Sequence, residues 1–107
     1  MSLFRVLLRM EIRPGHAGDF ERIWLSIGSG VTDHPANVAQ WLLRSADEDN
    51  VYYIVSDWVD EPSFRQFERS PEHVEHRAKL HPFRLTGSMN VMEAVYELRG
   101  AAAGTTA

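Results

Sequence analysis

The chain has 107 residues, 44% hydrophobic and 10% aromatic, which is enough apolar material for one compact domain and too little length for a second. Fifteen Asp and Glu against eleven Lys and Arg give a net charge of −4, with no basic block in either half, which argues against a nucleic-acid partner. Cysteine is absent, so disulfides, thiolate metal sites and a cysteine nucleophile are excluded, and any chemistry falls to histidine, carboxylate, arginine or aromatic side chains.

The residues Met1 to Arg5 lead directly into alternating sequence, without the long apolar run of a signal peptide or membrane span. A cytoplasmic protein with no membrane partner is expected. Phe4, Val6, Leu8, Met10 and Ile12 alternate with Arg5, Leu7, Arg9, Glu11 and Arg13, the pattern of a strand with one buried face. Pro14-Gly15 is a turn, after which Phe20, Ile23, Trp24, Ile27 and Val31 recur at helical spacing behind Asp19. Gly28, Gly30 and Asp33-His34-Pro35 then mark a loop.

Two strands, Val38 to Ser45 and Val51 to Trp58, flank the acidic turn from Ala46 to Asn50 and should pair as a hairpin. Asp60-Glu61-Pro62 and Ser70-Pro71-Glu72 each combine an N-cap residue with a proline in the first turn, predicting two helical pieces with a bend between them. Ser88 to Leu98 alternates again and reads as a fourth strand. The domain is thus expected over residues 3–98, with 99–107 as a flexible tail.

The order β-α-β-β-α-β is the ferredoxin-like α+β arrangement, an antiparallel four-stranded sheet with both helices on one face. The other face also carries apolar residues: Leu7 on the first strand, Trp41 and Leu43 on the second, and Tyr and Val on the third. Two apolar faces need two covers, which predicts a homodimer with its sheets facing each other.

The string Tyr52-Tyr53-Ile54-Val55-Ser56-Asp57-Trp58, then Glu61-Pro62-Ser63-Phe64, then Ser70-Pro71-Glu72-His73, resembles the antibiotic biosynthesis monooxygenase family. The segments from Pro35 to Trp41 and from His73 to Arg77 are similar to its small anthrone and naphthacenone oxygenases of aromatic polyketide pathways. The resemblance implies a dimeric α/β barrel, a pocket between sheet and helices, and oxygenation of phenolic rings with molecular oxygen and no bound cofactor. Two departures stand out. Ile54 occupies a position where some anthrone oxygenases carry asparagine, and the first strand lacks the asparagine used by haem-degrading relatives.

Residue spacing puts His73, His76, Arg77 and Leu80 on one helical stripe. An imidazole, with an unperturbed pKa of roughly 6.5, suits removal of a proton from a phenol, and a guanidinium suits the resulting anion. The same cluster is equally compatible with a solvated helix face. His81 beside Pro82 fits substrate contact or a helix C-terminus, and Asn37 fits a substrate hydrogen bond or turn chemistry. Trp58, Phe64 and Trp41 are candidates for walls around a polycyclic ring, with packing as the alternative. His73, His76 and His81 lack a carboxylate at a recognised ligand spacing, so no metal is expected.

The expected catalytic set is therefore His73, His76 and Arg77, with Trp58, Phe64, Trp41, Asn37 and His81 contacting the substrate. The reaction expected is oxidation of a polycyclic phenol or anthrone to a quinone. A cyclase of the same fold and a non-catalytic dimer that binds an aromatic ligand are the rivals.

Overall fold

Nine residues of uninterrupted alternation place β1 (Phe4–Ile12) at the centre of the sheet. A computed structural model describes residues 3–105; the remainder of the expected tail, residues 106 and 107, lies outside them. The elements that follow are α1 (Ala17–Ile27), α2 (Ser29–Thr32), β2 (Asn37–Arg44), β3 (Val51–Trp58), α3 (Glu61–Glu68), α4 (Pro71–Leu80), a 3-10 turn (His81–Phe83) and β4 (Arg84–Glu93). The sheet order is β2-β3-β1-β4, and every pairing is antiparallel. This is the ferredoxin-like α+β fold. The sheet of one chain is open, with β2 and β4 as its edges, so no barrel closes within the subunit.

Register assigns every side chain to a face. Phe4, Val6, Leu8 and Met10 stand opposite Trp58, Ser56, Ile54 and Tyr52 of β3, and this face packs against the helices. One core cluster joins Met10, Ile12, Tyr52 and Ile54 to Phe20 of α1 and Leu80 of α4. A second joins Phe4, Val6 and Trp58 to Phe64 and Phe67 of α3. Both helix starts follow the cap signals. The Asp60 side chain accepts from the Ser63 amide at 2.9 Å, and the Ser70 hydroxyl accepts from the His73 amide at 3.3 Å while donating to the Phe67 carbonyl at 2.7 Å. Ser70 thereby closes α3 and opens α4 with one hydroxyl. Gly15 (φ 83°) supplies the left-handed residue of the first turn, and Asn50 (φ 61°) that of the hairpin between β2 and β3.

Two expectations are corrected. The segment around Gly30 is not all loop, because Ser29–Thr32 forms a short helix. The fourth strand runs over Arg84–Glu93 rather than Ser88 to Leu98. Its limits are those of its partner: the ladder with β1 runs from Ile12 opposite Arg84 to Phe4 opposite Glu93, and a last bond joins the Ala94 amide to the Leu3 carbonyl at 2.9 Å. Beyond Ala94 the alternating residues have no neighbouring strand among the described residues, and Ala101–Thr105 forms a 3-10 turn.

On the opposite face, the Arg5 guanidinium donates through Nε and Nη2 to both oxygens of Asp57, at 2.7 and 2.8 Å, and lies 5.8 Å from the centre of the Trp41 ring. Trp41, Leu43 and Met92 are exposed on this side of the subunit.

Phe20 is fully buried and its ring lies 5.1 Å from that of Tyr52. Phe20→Ala should therefore cost about 3–5 kcal/mol, read as a lower denaturant midpoint at unchanged m-value.

Candidate active site

Because α3 packs through Phe64 and Phe67 against Phe4, Val6 and Trp58, the aromatic residues at the end of β3 and on α3 form a continuous wall. Trp58 is 1% exposed, and its indole Nε1 donates to the Ser56 hydroxyl at 3.0 Å, so its polar edge is satisfied from within the same strand face. The Phe67 ring lies 4.8 Å from Trp58 and 4.5 Å from the imidazole of His73, and the Phe64 ring lies 5.4 Å from Trp58. His34 packs edge-on against both Trp58 and Phe67, each at 5.5 Å, while its Nδ1 accepts from the Ala36 amide.

Beside this wall is a cavity of about 350 Å³ between the sheet, α1, α3 and α4. That size falls within the range of small-molecule sites, about 300–1,000 Å³. Its apolar lining includes Leu8, Met10, Trp24, Ile54, Trp58, Phe64 and Phe67, and its polar lining includes His73, His76, Arg77, His81 and Arg84. The helical stripe read from the sequence is thus turned inward. Trp58, Phe64 and His81 join it at the cavity.

Trp41 and Asn37 do not join it. Trp41 stands opposite Val55 on the other face of the sheet, against Arg5. The Asn37 amide donates to the carbonyl of Asp57 at 3.2 Å, holding the bulge where β2 shifts register between Asn37 and Ala39. The expectation that these two side chains surround a ligand with His73 and His76 is therefore corrected by strand face and by hydrogen bonding. Sequence reading also missed Ser56, Phe67, Gln40, Glu68 and Arg84, all of which line the cavity. Ser56 could have been found, since it lies two residues before Trp58 and so shares its face. Arg84 was hidden by the misplaced start of β4.

The site is electrostatically unusual. Among the described residues, the buried side-chain polar atoms without a hydrogen-bond partner are Nδ1 of His73 and Nδ1 of His76. Leaving such a group unpaired costs on the order of 1–3 kcal/mol, so both imidazoles are held in place against a penalty. Burial pushes the His73 pKa down to about 4, with the positive charge of Arg77 and then His76 adding to the shift and Glu68 opposing it. His73 is consequently neutral at pH 7, the form that accepts a proton. No cluster of three or more His, Asp or Glu side chains stands close enough to hold a metal ion among the described residues.

A close contact positions the second imidazole. A Cβ added at Gly30 would lie 2.1 Å from Cε1 of His76, so the bare backbone of α2 forms one side of the ring's seat.

A family model for the antibiotic biosynthesis monooxygenases matches residues 3–79. The chain belongs to that family. The match spans β1 through most of α4 and stops before His81 and Arg84. Among solved structures, SnoaB, a cofactor-independent oxygenase from Streptomyces nogalater, superposes with a TM-score of 0.82 at 23% identity, covering 94% of this chain and 100% of that one. A protein from Caulobacter crescentus gives a TM-score of 0.80 at 18% identity, covering 89% and 92%. A conserved protein from Methanosarcina mazei gives 0.79 at 17%, covering 86% and 92%. At these identities the likeness is one of fold. No protein with a curated description matches the chain in sequence.

Two outcomes follow for the histidines. The unfolded chain binds a proton at His73 near pH 6.5 and the folded chain only near 4, so between these values the unfolded state holds more protons. The His73 contribution to stability is full above pH 6.5 and is lost as the pH falls toward about 4. Denaturant titrations across that window should show a slope that His73→Gln reduces. Separately, Gly30→Ala should push the His76 ring from its seat and lower stability by about 1–3 kcal/mol. In NMR spectra the His76 ring signals should move while those of His16 stay in place.

Proposed function

We propose that this chain is a cofactor-independent oxygenase that converts a polycyclic phenol or anthrone-type aromatic polyketide to a quinone, with molecular oxygen as co-substrate. The observation that carries this reading is the placing of the His73 and His76 imidazoles on a cavity walled by Trp58, Phe64 and Phe67. The wall matches a flat polycyclic body, and the imidazoles match its hydroxyl or acidic ring carbon. Family membership supports oxygenase chemistry in general, and the cofactor-independent activity of SnoaB on the same fold supports its form.

In this mechanism neutral His73 or His76 removes a proton from the substrate, and Arg77 stabilises the anion. Transfer of one electron from the anion to dioxygen gives a substrate radical and superoxide, which combine to a peroxide. Protonation and loss of water leave the carbonyl of the quinone, so one dioxygen yields one quinone and one water. An imidazole at low pKa is a weak base in the empty site. A phenolate formed beside it supplies the opposite charge that raises its proton affinity. Enclosure by Trp58 and Phe64 keeps water from the anion and holds the radical pair together.

The working unit is proposed to be a homodimer. The apolar Trp41, Leu43 and Met92 are exposed on the open sheet face, and a second copy covering that face would complete the α/β barrel. In this arrangement Trp41 belongs to the interface rather than the cavity.

With 1,8-dihydroxyanthrone in an oxygen electrode, the protein should consume one dioxygen per quinone above the uncatalysed rate. His73→Ala or His76→Ala should lower kcat by about 10²–10⁴-fold. Full turnover by both variants would overturn the assigned base. Conversion of a polyketide substrate under strict anaerobiosis would instead identify a cyclase, and ring binding without oxygen uptake a binding protein.

A further inference from the structure

Of the chain's ten arginines, seven have a side-chain hydrogen bond or ion pair to a carboxylate or carbonyl oxygen among the described residues. Arg69, Arg77 and Arg84 have no such bond among the described residues, and Arg77 and Arg84 both line the cavity. Arg9, whose guanidinium stands on the far face of the sheet, is held by Glu48 at 2.6 Å, and the one lining carboxylate, Glu68, accepts from Arg65 at 3.3 Å. Two positive charges at the cavity are therefore uncompensated.

Arg84 is accommodated by the strand that carries it. Gly87 faces the cavity from β4, opposite Met10, and a Cβ there would lie 2.9 Å from Arg84 Nη1 and 3.0 Å from its Cδ. The missing side chain leaves room for the guanidinium to lie along the strand. Arg77 is exposed and Arg84 half-buried, whereas Trp58, Phe64 and Phe67 are buried. The charge sits at the mouth and the aromatic wall at the depth.

We propose that the cavity takes an aromatic substrate bearing a carboxylate, and that Arg84 receives this carboxylate at the mouth. The inference rests on the reading of the cavity as the substrate site and names the substrate's chemical class. A guanidinium presents parallel N–H donors that match the two oxygens of a carboxylate. Anchoring the acid at the mouth fixes which ring reaches His73 and His76. Arg84 acts here as a specificity-determining residue and lies outside the segment matched by the family model.

The test is binding of anthraquinone-2-carboxylate and of its uncharged carboxamide, measured by isothermal titration calorimetry at pH 7 in low salt. Neither probe has the acidic ring carbon of an anthrone, so turnover does not intervene. The wild type should bind the carboxylate about tenfold or more tightly, as expected for hydrogen bonds to a charged group. The preference should shrink with added salt. Arg84→Gln should reduce it severalfold, with carboxamide affinity nearly unchanged. Arg69→Gln should retain the preference. Equal wild-type affinities, or a preference that survives Arg84→Gln, would overturn the inference while leaving the oxygenase reading intact. Failure of both probes to bind would overturn the cavity assignment itself. A retained carboxylate preference in a protein that never consumes oxygen would remove the oxygenase reading and keep the acid site.

Discussion

The architecture depends on the alternation of β1. As the central strand it pairs with both β3 and β4, so its period of two is transmitted to them through register. Its even-numbered residues face the helices, which forces Trp58, Ser56 and Ile54 of β3 and Gly87 and Met89 of β4 onto that face. A slip of one residue would expose Trp58 and bury Asp57 among the helices. The bidentate pairing of Asp57 with Arg5 on the far face opposes that slip, because a carboxylate taken from its guanidinium into an apolar core is strongly unfavourable.

The cavity follows from how two helices meet. Ser70 ends α3 on the Phe67 carbonyl and starts α4 on the His73 amide, so Phe67 and His73 emerge on either side of one tight bend with their rings 4.5 Å apart. The aromatic wall and the His73 imidazole are thus placed by a single local junction. Depth then separates the apolar from the charged lining. Buried rings and a neutral imidazole line its inner part, while the guanidinium groups of Arg77 and Arg84 lie nearer solvent.

The two faces of the sheet divide the tryptophans by role. Trp58 satisfies its indole through Ser56 and walls the cavity, whereas Trp41 rests against Arg5 on the open face. Both were candidates for substrate contact because an indole can wall a flat ring, and strand register alone separates them. Asn37 likewise spends its amide on the β2 bulge, where its two contacts are backbone carbonyls.

Much of the fold was determined by sequence-local physics. Strict alternation marks β1, helical spacing marks α1, and Asp60 and Ser70 with their following prolines mark α3 and α4, because each signal depends on residues within one or two turns. The stripe of His73, His76 and Arg77 was legible for the same reason. Whether that stripe faced solvent or a cavity was not, since a helix with charged residues around it carries little amphipathic signal. Only packing against the sheet turned it inward. The limits of β4, the placement of Arg84, the room left by Gly30 for His76 and the distance of Trp41 and Asn37 from the cavity all depend on contacts between segments far apart in the chain. Such contacts leave no periodic trace in the sequence, so tertiary structure alone decided them.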